Sequence, residues 1–292
     1  MRLDLIDGTY ELFRAHFSKR PDYRGQGGQP LKATVGMTSS LLTLLQEKKH
    51  GVTHLAVAFD NPIRSFRNDL FPGYKTEAGV DEELLAQFDV AEAAVRALGV
   101  SVWSMDRWEA DDALASGAAQ FADQVQQVRI HTPDKDLGQC VVGTKVVQID
   151  RRNEKVIDED ALRALRGIAP LSIPDWLALV GDTADGIPGL DGWGEKGAAA
   201  VLAKFEKLED IPADHRQWGV NVRGAERLSL NFNQGREDAL LYRTLATLVR
   251  DVPLKESLSE LEWQGVPKDA FLAWCAEVGL ESSLQDRPQK WR

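Results

Sequence analysis

HLAVAFD, residues His54–Asp60, joins an apolar run to a terminal carboxylate. A run this short and this uniformly apolar reads as a strand covered on both faces, the habit of parallel sheets. Upstream, Ala33–Lys49 carries Met37, Leu41, Leu44 and Leu45 at helical spacing and is closed by Gly51. Before that helix, Leu3–Ile6 is another strand, and it too ends in acid, at Asp7-Gly8. Downstream come a Pro/Gly-punctuated loop (Asn61–Val80), a helix expected over Glu82–Leu98 and a strand over Val100–Trp103. A helix then opens at Glu109, and strands follow at Val128–His131 and Val146–Ile149. This alternation predicts an α/β fold with a mostly parallel sheet flanked by helices. From Asp158 onward the pattern is almost wholly helical, with Pro170 and Pro174 as breakers. The expected domains are therefore 1–168, catalytic, and 169–292, helical.

Composition narrows the field. The chain has 292 residues, of which 43% are hydrophobic and 27% charged, enough to bury a substantial core. Cys140 and Cys275 cannot make a disulfide framework or a four-cysteine zinc site, and five scattered histidines argue against imidazole-bound zinc. No run has the length of a membrane span, and MRLDLIDGTY reads as a strand and loop rather than a secretory signal, so the cytoplasm is the expected compartment. The net charge of −10 argues against a nucleic-acid partner only until the acids are located. Many of them fall into a few tight clusters, and the remainder of the chain is close to neutral.

Ligands of open parallel sheets bind beyond the carboxyl ends of the strands. Asp7, Asp60, Asp134 and Asp136 each follow an expected strand. One such Asp is ordinarily a turn former or helix cap; several together point to a site. Glu109-Ala-Asp-Asp112 puts three acids into the first turn of a helix, where capping needs one or two. Asp134-Lys-Asp136, read as extended chain, would aim both carboxylates into one cleft. Asp182 and Asp185 form an i, i+3 pair beyond a helix end. Like charges so placed repel unless protonated or neutralised by cations. Oxygen-only ligation points to Mg²⁺ or Mn²⁺. Two such ions roughly 4 Å apart can activate a water and stabilise the leaving oxygen of a phosphodiester.

Six segments occur in the order and spacing of one family: Leu5–Gly8, Ala58–Asp60 with Ser65–Arg67, Gly73–Lys75, Glu109–Asp112, Thr132–Asp136 and Gly181–Gly189. Over residues 1–255 the chain resembles the 5′-3′ exonuclease/flap endonuclease family, which includes the 5′ nuclease domain of bacterial DNA polymerase I. The resemblance implies a PIN-like core followed by a helix–three-turn–helix, helix-hairpin-helix-like DNA-binding domain. It also implies two Mg²⁺ or Mn²⁺ held by Asp7, Asp60, Glu109, Asp111, Asp112, Asp134, Asp136, Asp182 and Asp185, with Asp134 and Asp136 counted among the catalytic groups. Lys75 matches a lysine that reaches the scissile phosphate, and Arg67 a phosphate-binding arginine. Three departures stand out. Ala78 replaces a frequent arginine, and the arch segment is short and acidic (Glu77, Asp81, Glu82, Glu83). Threading of a long 5′ single strand through it is therefore in question. Gly186 stands for the usual asparagine. With no polymerase domain in the sequence, a stand-alone or split-system nuclease is expected.

Gly186–Gly197 holds five glycines ahead of a helix whose Ala198, Val201, Leu202 and Phe205 share one face. Either it is a tight turn between packed helices, or Gly189, Gly192, Gly194 and Lys196 present N–H groups and charge to a duplex backbone. The family reading is the latter, with a monovalent cation such as K⁺ assisting. Arg14 is a further expected DNA contact, and Tyr10, Phe13 and Phe17 beside it either pack or support an unpaired base. Trp193 is expected to pack rather than touch DNA. Arg216, Arg223, Arg227, Arg236 and Arg243 either track phosphates or lie on solvated helix faces. The expected partner is DNA with 5′ ends, flaps or nicks, or an RNA–DNA hybrid, bound by a monomer away from membranes. Two rivals remain: a non-catalytic DNA-structure binder and a PIN-type ribonuclease. Cleavage in Mg²⁺ separates the first, and preference for single-stranded RNA the second.

Overall fold

The computed structural model describes residues 1–47, 49–280 and 284–292. Two compact units emerge from the pattern of contacts: residues 1–64, 77–132 and 250–292 in one, 65–76 and 133–249 in the other. No helix among the described residues is long and apolar enough to cross a membrane.

The first unit is built on four parallel strands, β1 (Arg2–Asp7), β2 (His54–Asp60), β3 (Ser101–Met105) and β4 (Gln127–His131), in the order β3-β2-β1-β4. Register places Asp7 beside Ala58 and Asp60 beside Met105, so both acids finish their strands at the same edge. All of β2 is buried, as its unbroken apolar run required. Ile6, Val57 and Phe59 face one core layer with Leu12, Met37, Leu41 and Val95 from three helices. Helix Ala110–Phe121 packs on the sheet as well. Its Gly117 makes the approach possible, because a Cβ there would stand 2.6 Å from the Trp103 ring.

Local structure departs from expectation in three places. The helix expected over Glu82–Leu98 is two, Glu82–Leu85 and Phe88–Ala97. Between them Gln87 is fully buried. Its Oε1 accepts from the N–H groups of Ala33 and Thr34 at 2.9 and 3.1 Å. It thereby caps helix Lys32–Gln46, whose own N-cap, Leu31, has no side-chain acceptor to offer. That helix was expected to run on to Lys49; it stops at Gln46, and Lys48 lies outside the described residues. Finally, residues 250–292 return to the first unit, with helix Lys268–Val278 against Phe88–Ala97.

The second unit holds an antiparallel pair, β5 (Val146–Asp150) and β6 (Lys155–Ile157), the latter too short to show periodicity in sequence. The rest is helical. Helix Ile173–Val180 packs against Glu195–Phe205 and Arg236–Ala246. Trp176, Leu177, Trp218 and Phe232 are among the buried residues of this unit's core. Trp193 is buried against Trp218 and Phe232 and donates to the Leu228 carbonyl at 3.2 Å, which settles it as a packing residue.

Candidate active site

Each unit gathers its own acids. In the first, Asp7 ends β1 and caps the helix that follows, its Oδ1 accepting from Tyr10 N at 2.8 Å and its Oδ2 from the Thr132 hydroxyl at 3.0 Å. Asp60 ends β2. Its N–H donates to Thr9 Oγ1 at 2.8 Å, and its Oδ1 accepts from Ala110 N at 2.7 Å. That bond draws the start of helix Ala110–Phe121 to the strand end. Glu109 and Asp112 are buried there, and Asp112 Oδ2 accepts from Glu109 N at 3.0 Å. Asp111 is half-buried. Capping thus accounts for part of this arrangement: the helix start uses Asp112 as a cap, and the Ala110 N–H joins it to Asp60.

In the second unit Asp136, Asp182 and Asp185 each place a carboxylate oxygen within 4.8 Å of the others. It is the one acid group this tight among the described residues. The geometry comes from turns. Asp134 and Asp136 are not on extended chain, as the i, i+2 reading supposed. Asp134 Oδ1 accepts from Asp136 N at 2.9 Å, turning the backbone into a 3₁₀ helix over Asp136–Cys140. Asp182 follows the helix end at Gly181, and two backbone bonds of 2.8 Å between Asp182 and Ile187 close the loop that carries Asp185.

Burial and the surrounding negative charges, those of Asp134, Asp185 and Asp182, push the Asp136 carboxyl well above the usual range. Its Oδ1 is buried without a hydrogen-bond partner. Lys135 donates to Asp182 Oδ2. Burial works to lower the Lys135 ammonium, but the bond to Asp182 and the neighbouring carboxylates outweigh it and the net shift is upward. Lys75 Nζ lies 3.0 Å from Asp185 Oδ1. Sequence reasoning passed over Lys135, Thr9 and Thr132. The position of Lys135 between two nominated acids was the available signal.

Residues 2–166 match the model of the 5′-3′ exonuclease N-terminal resolvase-like domain, and residues 168–269 that of the 5′-3′ exonuclease C-terminal SAM fold. A 5′-3′ exonuclease of Aquifex aeolicus is 30% identical over 97% of this chain and 94% of its own length. The chain belongs to the 5′-3′ exonuclease family. It is also 32% identical, over 97% of its length, to DNA polymerase I of Bacillus caldotenax, of which it spans about a third (32%). Among solved structures, zinc-bound T5 5′-exonuclease superposes with a TM-score of 0.66 at 18% identity, covering 85% of this chain and 90% of that one. A T5 flap endonuclease variant crystallised with DNA and metal ions superposes at 0.62 and 18% identity, over 98% of both chains. At such identities these structures speak for the fold.

In this 5′-3′ exonuclease-family chain the glycine-rich segment forms a compact turn. Gly189 and Gly192 have φ of +70° and +77°, and a Cβ on Gly189 would stand 2.5 Å from Gly181 N. Gly194 is the N-cap of helix Glu195–Phe205. Gly192, Gly194 and Lys196 line a hollow of about 200 Å³ with Asn221 and Arg223, and Asn221 was not foreseen. Arg216 pairs with Asp214 yet stays largely in solvent, and Arg243 pairs with Glu209.

Arg14 is held by Glu11 and by Ser40 Oγ, the latter at 3.0 Å. Phe13 packs against the core, whereas Phe17 is 71% exposed. Arg67 is only 1% exposed and donates to backbone carbonyls of Leu245 and Thr247. In the arch segment, Arg24 bridges both Glu83 oxygens at 2.9 and 3.1 Å, and His16 Nε2 lies 3.4 Å from Asp81.

Proposed function

We propose that the chain is a structure-specific 5′ nuclease that hydrolyses phosphodiesters at DNA 5′ ends, nicks and flap junctions, RNA–DNA hybrids included, using two divalent ions, Mg²⁺ or Mn²⁺. The observation that carries this reading is the trio Asp136, Asp182 and Asp185, with Asp136 Oδ1 buried and unpartnered. An acid trio in which burial and neighbouring charge disfavour the charged form of Asp136 suits a hard cation. Asp136, Asp182 and Asp185, with Asp134 at their edge, would hold one ion. Asp60, Glu109, Asp111 and Asp112, with Asp7 on the adjacent strand, would hold the other. Bound ions supply charge neutralisation and activation of a water.

The remaining steps fall to side chains. Lys75, fixed by Asp185, would meet a non-bridging oxygen of the reacting phosphate and offset charge as it develops. The N–H groups at Gly192 and Gly194, the start of helix Glu195–Phe205 and Lys196 would grip the duplex backbone without reading bases. A monovalent cation such as K⁺ would suit the same turn. The bridging of arch acids by Arg24 and His16 favours nicked and recessed 5′ ends over long single-stranded flaps as substrates. We further assign catalysis chiefly to residues 1–168 and duplex binding to the helical part beyond.

The test uses 5′-labelled flap, nicked and overhang DNA with Mg²⁺, Mn²⁺ or Ca²⁺. Release of short 5′ products in Mg²⁺ or Mn²⁺, abolished by Asp134→Asn with binding retained, is expected. Binding in Ca²⁺ with no cleavage in either active ion, on any of the three substrates, would sink the proposal.

A further inference from the structure

The last turn of helix Arg236–Ala246 leaves carbonyls that no N–H of the helix can satisfy. Two buried side chains take them up. Arg67 Nε donates to Leu245 O at 2.7 Å and its Nη2 to Thr247 O at 3.0 Å. Gln139 Nε2 donates to the carbonyl between these, Ala246 O, at 3.0 Å, and Gln139 Oε1 accepts from Leu248 N at 3.0 Å. Arg67 and Gln139 are 1% and 2% exposed.

Both side chains also govern chain that carries the site. Gln139 Nε2 donates to the Asp136 carbonyl at 2.9 Å, so one amide joins the metal-facing turn to the helix end. Beside Arg67, Asn68 Nδ2 donates to the Lys75 and Tyr74 carbonyls at 2.8 and 3.3 Å, while its Oδ1 accepts from Ser65 N at 2.9 Å. Arg67 and Asn68 together therefore tie the loop ending at Lys75 to the helix end, Arg67 through two of these carbonyls, those of Leu245 and Thr247. The helix end is also the negative end of its dipole, which suits a guanidinium, and the fork of Arg67 matches two carbonyls in a way an ammonium cannot.

We propose that Arg67 and Gln139 are positioning residues, holding Lys75 and Asp136 in fixed relation by anchoring both loops on residues 245–248. This replaces the phosphate contact that the family resemblance implies for Arg67. The proposal rests on the nuclease reading for its effect on turnover, but not for its effect on metal binding.

The experiment compares wild type with Gln139→Leu, Arg67→Lys and a stability control, Leu208→Ala, in the same unit but outside the site. Mn²⁺ affinity is measured by calorimetry, and kcat and KM on nicked DNA at a temperature well below every Tm. Gln139→Leu is expected to weaken Mn²⁺ at least fivefold and lower kcat at least tenfold. Arg67→Lys is expected to lower kcat at least tenfold with KM within threefold of wild type. Leu208→Ala should lose Tm with all three quantities unchanged. Gln139→Glu, which keeps the acceptor for Leu248, takes the place of Gln139→Leu if the latter does not fold. Mn²⁺ affinity and kcat of the Gln139 variant within twofold of the Leu208→Ala values would overturn the proposal. Wild type that binds Mn²⁺ yet cuts nothing would overturn the nuclease reading instead, and the Mn²⁺ affinities would still decide this one.

Discussion

Lys75 and Asp185 meet twice, once through side chains, with Nζ 3.0 Å from Oδ1, and once through the backbone, with Lys75 N donating to Asp185 O at 3.0 Å. A lysine at the end of one loop is thereby registered on an acid of another, and the ammonium enters the site with its direction already set. Replacing Lys75 with Ala should lower kcat by about 10²–10³-fold, the effect of removing one preorganised electrostatic contact to a reacting oxyanion. Duplex affinity should change little, because the contact matters most in the transition state. Single-turnover cleavage alongside equilibrium binding in Ca²⁺ checks both. Equal losses in binding and turnover would contradict the assignment.

The same junction depends on Gly186. Its φ is +75°, and a Cβ there would lie 2.1 Å from the Gly73 carbonyl oxygen. Gly186→Ala should cost about 1–3 kcal/mol through backbone strain and close contact. Because the loop must move away from Gly73, the variant should also lose turnover like Lys75→Ala. Thermal melts and kinetics on one sample test the two effects together.

Neutralising Asp136 should separate stability from metal binding. Removing one charge from a group of mutually repelling carboxylates relieves repulsion, so Asp136→Asn without metal should melt at or above the wild-type temperature. Wild type should gain stability on addition of Mn²⁺, and the variant should gain little. A metal-induced shift as large in Asp136→Asn as in wild type would remove Asp136 from the site.

Acid stability should respond to an ion pair away from the site. Hydrogen bonding from Arg243 holds the Glu209 carboxyl down at about 2, against an ordinary 4.5. A depressed folded-state value means the unfolded chain binds the proton more readily. The contribution is thus complete above about pH 4.5 and is lost as pH falls toward 2. The Glu209 side chain is half-exposed, so the effect is reduced by solvent screening. Glu209→Gln should flatten this acid limb of the stability curve while leaving cleavage at neutral pH unchanged, as denaturant melts from pH 7 to pH 3 would show.

At the proposed duplex clamp, Lys196→Ala should weaken DNA binding evenly across sequences. It should reduce the slope of log K against log salt by about one, as expected for the loss of one phosphate contact. A change in sequence preference would point to base contact instead.

Strand placement, the acids at strand ends and the turn-forming glycines were legible in the sequence because each depends on residues a few positions apart. The apolar run of His54–Asp60 marked a strand covered on both faces, and the glycines of Gly186–Gly197 left the backbone free to take the positive φ found at Gly189 and Gly192. Family membership was legible for the same reason, since its motifs are local. Other features needed the folded chain. Gln87, between two helices, is buried as the acceptor for the first-turn N–H groups of Ala33 and Thr34, 54 and 53 residues away. Asp134 and Asp136 lie on a turn rather than a strand. Arg67, to which the family resemblance assigns a phosphate, is claimed by carbonyls 178 and 180 residues later. Side-chain type is written locally, but whether a polar group meets solvent, a ligand or a buried backbone depends on which distant segments desolvate it, and only tertiary packing decides that.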